Sequence, residues 1–160
     1  MAYQMKVDGM TEISEMLTKL EEKAPAIAAQ ALYDGAGIMA DEITKGAESI
    51  RTAPFKYAKE ERRLPSPEEK EIVLQASAGI ARFDKEGTEI NTSVGYRNAG
   101  YADLNGKTKP IPLIVNSINS GTSFMQKQPF IRKAASKGTP KAVRAIKAKI
   151  EEAFEAITKE

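Results

Sequence analysis

Chemistry in this sequence would have to come mainly from carboxylates. The 160 residues include no Cys and no His, so the commonest general base and the thiol nucleophile are both missing, together with the metal ligands they supply. Asp41 and Glu42 are adjacent on a predicted helix and therefore face different directions, which makes them a poor catalytic pair. No spacing favours a catalytic lysine or a Ser–Lys arrangement either. We predict that the protein is not an enzyme and uses no cofactor, and we keep a carboxylate-only metal enzyme as the weakest of three hypotheses.

The acidic residues that crowd the chain near position 70 have a structural explanation. Ser66 and Glu69 have the spacing of a capping box, and Pro67 occupies the favoured first position of a helix. Acidic side chains in a first helical turn also interact favourably with the helix dipole. The pattern predicts a short helix from residue 67 to about residue 78, ended by Gly79.

Hydrophobic periodicity in the first fifty residues predicts two amphipathic helices. The first covers residues 11–22, and the second begins at Pro25 and continues, rich in alanine, to Ile50. Gly35 and Gly37 lie inside the second helix and weaken it by roughly 1 kcal/mol each relative to alanine. Glycines at such positions can permit close approach of another backbone, and we expect that here.

The middle of the chain predicts β-hairpins and exposed connections. Alternating residues predict a first hairpin over Ile80–Gly95, with its turn at Asp84–Gly87. The dipeptide Asn105-Gly106 is a strong turn signal and indicates either a loop or the tip of a second hairpin. We expect loops 52–66 and 97–109 to be exposed and flexible.

Three segments complete the chain. The apolar run Pro110–Ser120 fits a buried strand or a helix, and its two prolines favour a short helix. Pro129 then opens a short helix ended by Gly138, after which Thr139 caps a final amphipathic helix. The sum is one α+β domain spanning residues 1–160, with a small antiparallel sheet packed with a long N-terminal helix and an amphipathic C-terminal helix.

Charge is unevenly distributed along a chain whose net charge is only +2. The segment Leu104–Ile150 has ten basic residues and no acidic one, whereas the first fifty residues have nine acids and four bases. Such segregation fits a solvated surface, contact between two copies, or a surface facing DNA. The candidate DNA-facing residues are Lys141, Arg144, Lys147 and Lys149.

The order of several short motifs resembles a known family. The start Gly9-Met10-Thr11-Glu12-Ile13 leads into an alanine-rich helix, a hairpin ends in Val94-Gly95-Tyr96, and a turn at Gly121-Thr122 precedes the segment Pro129–Ala134. This order resembles the small neck proteins of long-tailed bacteriophages and prophages, variously called head–tail joining, tail-completion or tail-terminator proteins. The resemblance covers nearly the whole chain as an order of elements and is specific only at residues 117–134. The chain departs from the family pattern at Asn119-Ser120 and at Ser66-Pro67.

The resemblance implies a structural role in the virion. Such a protein forms a ring, typically of six copies, that joins the tail tube to the head connector or terminates the tail, after assembly in the cytoplasm of the bacterial host. It also implies that the turn and the start of the last helix contact partners, and the candidate interaction residues are Gly121, Thr122, Pro129, Phe130, Arg132 and Lys133. Passing DNA would make only non-specific contacts.

A small non-specific DNA-binding accessory protein is the alternative, with the basic segment 107–149 as its binding surface. No stretch of the sequence is long and apolar enough to predict a membrane span, and the first residues lack the plan of a signal peptide. We therefore expect no membrane partner.

Overall fold

The computed structural model of this protein describes residues 10–54, 62–82, 84–86 and 89–159. Those residues form four helices and six short strands, and the predicted α+β class is confirmed. The helices are α1 (Met10–Glu48), α2 (Pro67–Ala76), α3 (Ile111–Ser120) and α4 (Phe130–Lys159). The strands are β1 (Gly79–Ile80), β2 (Asp84–Glu86), β3 (Glu89–Asn91), β4 (Val94–Gly95), β5 (Tyr101–Leu104) and β6 (Lys107–Pro110).

Helix α1 is a single helix of 39 residues, so the predicted division near Pro25 is wrong. A proline inside a helix removes one backbone hydrogen bond and crowds the preceding turn, which is why the sequence suggested a new start there. Strong helix formers flank Pro25 on both sides, and the neighbouring α4 packs along α1. Tertiary packing therefore outweighs the local cost of the proline.

Helix α4 is also continuous, over 30 residues, and the predicted break at Gly138-Thr139 is wrong. The Thr139 hydroxyl donates to the Ala135 carbonyl at 2.7 Å within the helix instead of capping a new one. Gly138 is buried because it packs against α1: a Cβ there would lie 2.8 Å from Met39 Sδ and 3.3 Å from Glu42 Cβ. This glycine is a contact residue, and it does not end the helix.

Helices α1 and α4 pack antiparallel, and we call them the helix pair. Gly46 lies against Ala134 near one end, and Gly35 lies against Ile146 further along. The close approach expected of the two glycines in α1 is found at Gly35, whereas a Cβ on Gly37 would meet nothing within 4 Å. Small residues at these steps let the two helices approach each other closely.

The strands form two hairpins. In the first, β1 pairs with β4 and β2 pairs with β3, but the register shifts by one residue between the two ladders, as at a β-bulge. Of the predicted turn Asp84–Gly87, Asp84–Glu86 forms strand β2 instead, so that part of the prediction is wrong, and Gly87 lies outside the described residues. In the second hairpin, Asn105 and Gly106 have φ of 52° and 75°, as a two-residue type I′ turn requires.

The core lies where the inner end of the helix pair, meaning the last turns of α1 and the first turns of α4, meets α2, α3 and the hairpins. The predicted short helix over the apolar run is confirmed as α3, which contributes four buried residues, with Ile118 fully covered. The core members are Ile43, Ala47, Ile50, Val73, Tyr96, Leu104, Ile111, Ile114, Val115, Ile118, Met125, Phe130 and Ala134.

Two segments expected to be exposed loops are partly built into the fold. Pro65 is fully buried and its carbonyl accepts a hydrogen bond from the Ala53 backbone at 3.0 Å, so residues 62–66 are held against the body. Residues 55–61 of that predicted loop lie outside the described residues. Most of the second predicted loop, 97–109, is occupied by the second hairpin.

Candidate interaction site

The Gly-Thr motif begins a turn that we call the anchored turn, residues 121–128. Gly121 ends α3 with φ of 75°, and its backbone N–H donates to the Ser117 carbonyl at 3.0 Å. A Cβ at this position would lie 3.0 Å from Lys127 Cβ and 3.1 Å from the Lys127 backbone nitrogen. Both the backbone conformation and the close approach therefore require glycine.

Thr122 closes the turn with three hydrogen bonds. Its backbone N–H donates to the Met125 carbonyl, and its hydroxyl accepts from the backbone N–H groups of Phe124 and Met125 at 3.3 and 3.0 Å. Met125 is thereby directed into the core, where it is 2% exposed, and the Phe124 side chain is 59% exposed. The result is an aromatic ring presented to solvent from a hydrogen-bonded turn.

The anchored turn is fixed to a segment that lies 60 residues earlier in the chain. Arg63 donates its backbone N–H to the Phe124 carbonyl and accepts from the Gln126 N–H, both at 2.9 Å, which makes a parallel bridge beside Met125. The Gln126 side chain also donates to the Arg62 carbonyl at 2.9 Å. The two segments therefore hold each other in one register.

A largely buried ion pair supports this bridge. The Arg63 guanidinium makes two 2.8 Å hydrogen bonds to the Glu69 carboxylate, which also accepts from the Ser66 backbone at 2.8 Å. The Ser66 hydroxyl accepts from the Glu69 N–H at 3.2 Å, so the predicted capping box is confirmed. Burial acts to raise the pKa of Glu69, but the bonds from Arg63 and Ser66 outweigh it and hold that pKa below the ordinary value.

Two side-chain amides connect the turn to the helix pair and to α3. The Gln128 amide accepts from the Arg51 N–H at 2.8 Å and donates to the Arg51 carbonyl at 3.0 Å, while the Gln128 N–H donates to the Ile118 carbonyl. Asn119, where the family pattern has a different residue, accepts from the Ile131 N–H in the first turn of α4 at 3.2 Å. Asn119 thus helps to satisfy the start of α4.

The Pro129-Phe130 pair seats α4 in the core of its own chain. Phe130 is 3% exposed and packs edge to face against Tyr96, with ring centroids 6.3 Å apart. The Tyr96 hydroxyl is buried and has no hydrogen-bond partner among the described residues. The burial of Phe130, one of the candidate interaction residues, favours a role in the core of its own chain.

A groove of about 990 Å³ opens at the inner end of the helix pair, beside the anchored turn, and we call it the basic groove. Ile50, Pro129, Phe130 and Ala134 supply apolar lining. Glu42, the one acid among the described residues that line the groove, accepts a 2.7 Å hydrogen bond from Lys141. The basic lining residues are Lys45, Arg51, Lys127, Lys133, Lys137 and Lys141.

The groove is electrostatically positive. The hydrogen bond from Lys141 lowers the pKa of Glu42 below its ordinary value, and the charges of Lys45 and Lys137 add to the effect. Within the described part of the chain, no acidic side chain lies at ion-pair distance from the other five basic residues of the groove. The groove therefore carries unneutralised positive charge over an apolar lining.

The predicted interaction and DNA-facing residues are only partly brought together. Lys133 lines the groove and Arg132 is exposed close to it. Lys141 forms an ion pair with Glu42, and Lys149 Nζ lies 4.0 Å from Asp34 Oδ2. Both lysines therefore lie along the contact between α1 and α4. Arg144 donates to the Pro140 carbonyl at 3.3 Å, and Lys147 is exposed on α4 outside the groove lining. The four DNA-facing candidates thus do not form one surface.

Among the described residues, no group of three or more acidic side chains is placed to hold a metal ion. Asp103, in strand β5, accepts a 2.7 Å hydrogen bond from the Thr108 hydroxyl across the second hairpin. None of the helices in the described ranges has the length and apolarity needed to cross a bilayer.

Sequence reasoning missed three contributors to this site: the exposed Phe124, the ion pair of Arg63 with Glu69, and two basic residues from the other side of the groove, Lys45 in α1 and Arg51 just after it. The capping-box signal pointed to Glu69 but not to its partner, which lies before the box. Nothing local indicates that Lys45 and Arg51 meet the basic segment, because their approach depends on the antiparallel packing of α1 and α4.

Comparison of this chain with models of protein families, with curated proteins and with solved structures finds no match.

Proposed function

We propose that this protein is a non-enzymatic structural protein of the phage neck or tail end, which forms a ring that joins the tail tube to the head connector or terminates the tail. Its partners are other copies of itself, in a ring of six, together with the tail-tube and head-connector proteins. It is assembled in the cytoplasm of the bacterial host and resides in the virion. The order of motifs that resembles the neck proteins is the basis of this proposal.

The observation that supports it best is the exposed Phe124 on the anchored turn. Single exposed apolar side chains are common on protein surfaces, but one that is held on a fixed turn loses little conformational entropy when it binds. Six long-range hydrogen bonds to Arg62, Arg63, Arg51 and Ile118 hold this turn. Such a projection suits docking on a protein surface.

The test is native mass over a concentration series, measured alone and with purified tail-tube or head-connector protein. We expect a discrete ring, or a monomer that assembles when one of these partners is added. Phe124→Ser should weaken assembly at least about tenfold, as expected for an aromatic anchor at an interface. Val143→Ala is the matched control, because Val143 is also an exposed apolar residue but lies on α4 away from the turn.

A strict monomer that ignores both partners would contradict the proposal. The second candidate, non-specific DNA binding, rests on the basic groove and on the basic segment 107–149. It predicts retention of duplex DNA in low salt and a steep loss of affinity as salt rises.

A further inference from the structure

The two ends of the helix pair carry opposite charge. The inner end contains the basic groove, with six basic residues and one acid in its lining. We define the outer end as residues 14–24 of α1 and 151–159 of α4, which contain six acids and three bases. Those acids are all exposed: Glu15, Glu21, Glu22, Glu151, Glu152 and Glu155.

The charges of the two ends cannot neutralise each other within one molecule. Glu22 at the outer end and Gly46 in the groove lining are 24 residues apart on one helix. At a rise of about 1.5 Å per residue, they are separated by about 36 Å. The screening length at physiological ionic strength is about 8 Å, so the attraction between the ends can be used only between different molecules.

Apolar surface accompanies the charge at both ends. The outer end exposes Leu17, at 59%, and Phe154, at 42%. In the groove, the half-buried Pro129 supplies apolar surface beside the largely covered Phe130, and the volume of about 990 Å³ lies within the range of clefts that bind small ligands. The outer end therefore offers acidic and apolar side chains, and the groove offers basic side chains beside an apolar lining.

We propose that the outer end of the helix pair of one copy docks in the basic groove of the next copy. This inference rests on the proposed ring, for which it names the contact between subunits. Because the contact joins two different surfaces, it is heterologous, and repeated contacts close into a ring when the rotation between copies allows it.

A second copy fits the groove better than DNA does. A phosphate backbone would neutralise the groove but would make no use of its apolar lining. It would also leave Leu17 and Phe154 uncovered, and the acids around them would repel DNA. Another copy of the chain would neutralise the charge of both the groove and the outer end, and it would cover the apolar surface of both, in a single contact.

Charge reversal at each end tests the contact. A groove variant, Lys133→Glu with Lys137→Glu, and an outer-end variant, Glu21→Lys with Glu22→Lys, change only exposed residues. Each variant alone should raise the dissociation constant for assembly at least about tenfold, because like charges would then face each other. Circular dichroism checks that both variants keep the helical fold.

Mixing the two variants gives the sharper result. The acidic groove of one variant should accept the basic outer end of the other, and the remaining two surfaces are unchanged, so an equimolar mixture should recover the native mass of the wild type. The matched control is Lys107→Glu with Lys109→Glu, which makes the same charge change on the second hairpin, and it should assemble like the wild type. If the two variants assemble like the wild type, or if their mixture fails to recover, the proposal is wrong.

Engineered cysteines provide an independent readout, because the chain has none of its own. A chain with Leu17→Cys and Ser136→Cys should form disulfide-linked oligomers under mild oxidation, since it places one thiol at the outer end and one in the groove lining. Leu17→Cys with Ser93→Cys, whose second thiol lies on the first hairpin, should not. A wild type that stays monomeric, combined with no linked species from the first pair, overturns the proposal.

The outcomes separate this inference from the function on which it rests. If the charge variants form the wild-type ring, the groove contact is wrong and the neck function stands. If the wild type neither self-associates nor binds tail-tube or connector protein, both fail. If groove reversal abolishes DNA retention in low salt but leaves native mass unchanged, the groove is a DNA site and the inference is overturned.

Discussion

The helix pair and the anchored turn hold their shapes by different means. Along the helix pair, α1 and α4 approach each other through glycine and alanine, and ion pairs between described residues join them at Glu42 and Asp34. In the anchored turn, hydrogen bonds fix the backbone to groups up to 77 residues away in the sequence. Shape complementarity of small side chains stabilises the first region, and polar pairing stabilises the second.

This difference predicts different responses to substitution. The helix pair should tolerate changes that face solvent but not a larger side chain at its close contacts. The anchored turn should be sensitive to loss of any buried polar partner, because the group left behind would then be unpaired. Substitutions in both regions test the comparison, and the largest effect is expected at the ion pair behind the turn.

Arg63→Met should lower the free energy of unfolding by about 3–5 kcal/mol, as expected when one partner of a buried ion pair is removed. The side chains are 20% exposed for Arg63 and 7% exposed for Glu69, so the remaining carboxylate would be buried without its partner. Urea unfolding followed by circular dichroism measures the change. Arg62→Met, at the exposed neighbouring position, is the matched control and should change stability little; equal effects at both positions would contradict the assignment.

The same ion pair predicts a pH dependence. The folded-state pKa of Glu69 lies below the ordinary value of 4.5, so its contribution to stability is present above pH 4.5 and is lost as pH falls through the folded-state pKa. Glu69→Gln should remove this component. Its unfolding free energy should therefore fall less between neutral and acidic pH than that of the wild type.

Gly121→Ala should lower the free energy of unfolding by about 2–3 kcal/mol, because a side chain there meets an unfavourable φ and a close backbone contact together. Gly100→Ala separates the two causes. Gly100 also has a positive φ, of 89°, but a Cβ there would meet nothing within 4 Å. The free energy of unfolding of Gly100→Ala should fall by only about 1 kcal/mol. Thermal or urea unfolding of the two variants measures the difference between them. Equal losses would mean that the contact with Lys127 contributes nothing.

In the helix pair, Gly46→Ala and Gly37→Ala should have opposite signs. A Cβ on Gly46 would lie 2.9 Å from Ala134 Cβ and 3.2 Å from the Phe130 carbonyl oxygen, and a backbone atom cannot move aside as a side chain can. We expect a net loss of about 1–2 kcal/mol after the gain in helix propensity. Gly37 faces open space, so its replacement should stabilise the helix by about 0.5–1 kcal/mol. A stabilising Gly46→Ala would show that the helices can separate without cost.

The sequence predicted most elements of the fold but misread where the two long helices end. Periodicity identified α1, α3 and α4, the capping box identified α2, and Asn105-Gly106 identified the tip of the second hairpin. Pro25 and Gly138 were interpreted as boundaries because local rules make them breaks. The packing of α1, with 39 residues, against α4, with 30, outweighs those local rules. Gly138 is needed in the contact between the two helices.

Less of the candidate site could be predicted. The Gly-Thr motif and the basic segment were recognised from sequence, and the need for glycine at position 121 follows from the turn. The partners of the turn could not be inferred, since Arg51 and Arg63 meet it only through the tertiary fold. The segregation of charge was visible along the chain, but antiparallel packing redistributes it, so that acids of both α1 and α4 share one end.

Tyr96→Phe should have the smallest effect, at the point where the two regions meet. The ring packs on Phe130 at the start of α4, and its buried hydroxyl has no partner among the described residues. Removing that hydroxyl keeps the ring contact and should leave the free energy of unfolding unchanged or raise it by up to about 1 kcal/mol. Burial also raises the pKa of Tyr96 above its ordinary value of 10, so the folded state loses stability as pH rises from 10 through the folded-state pKa, because the phenolate is disfavoured in the core. Urea unfolding at neutral and alkaline pH checks both points: the variant should lose less stability at high pH than the wild type, and a destabilised Tyr96→Phe at neutral pH would mean that the hydroxyl contributes a stabilising interaction.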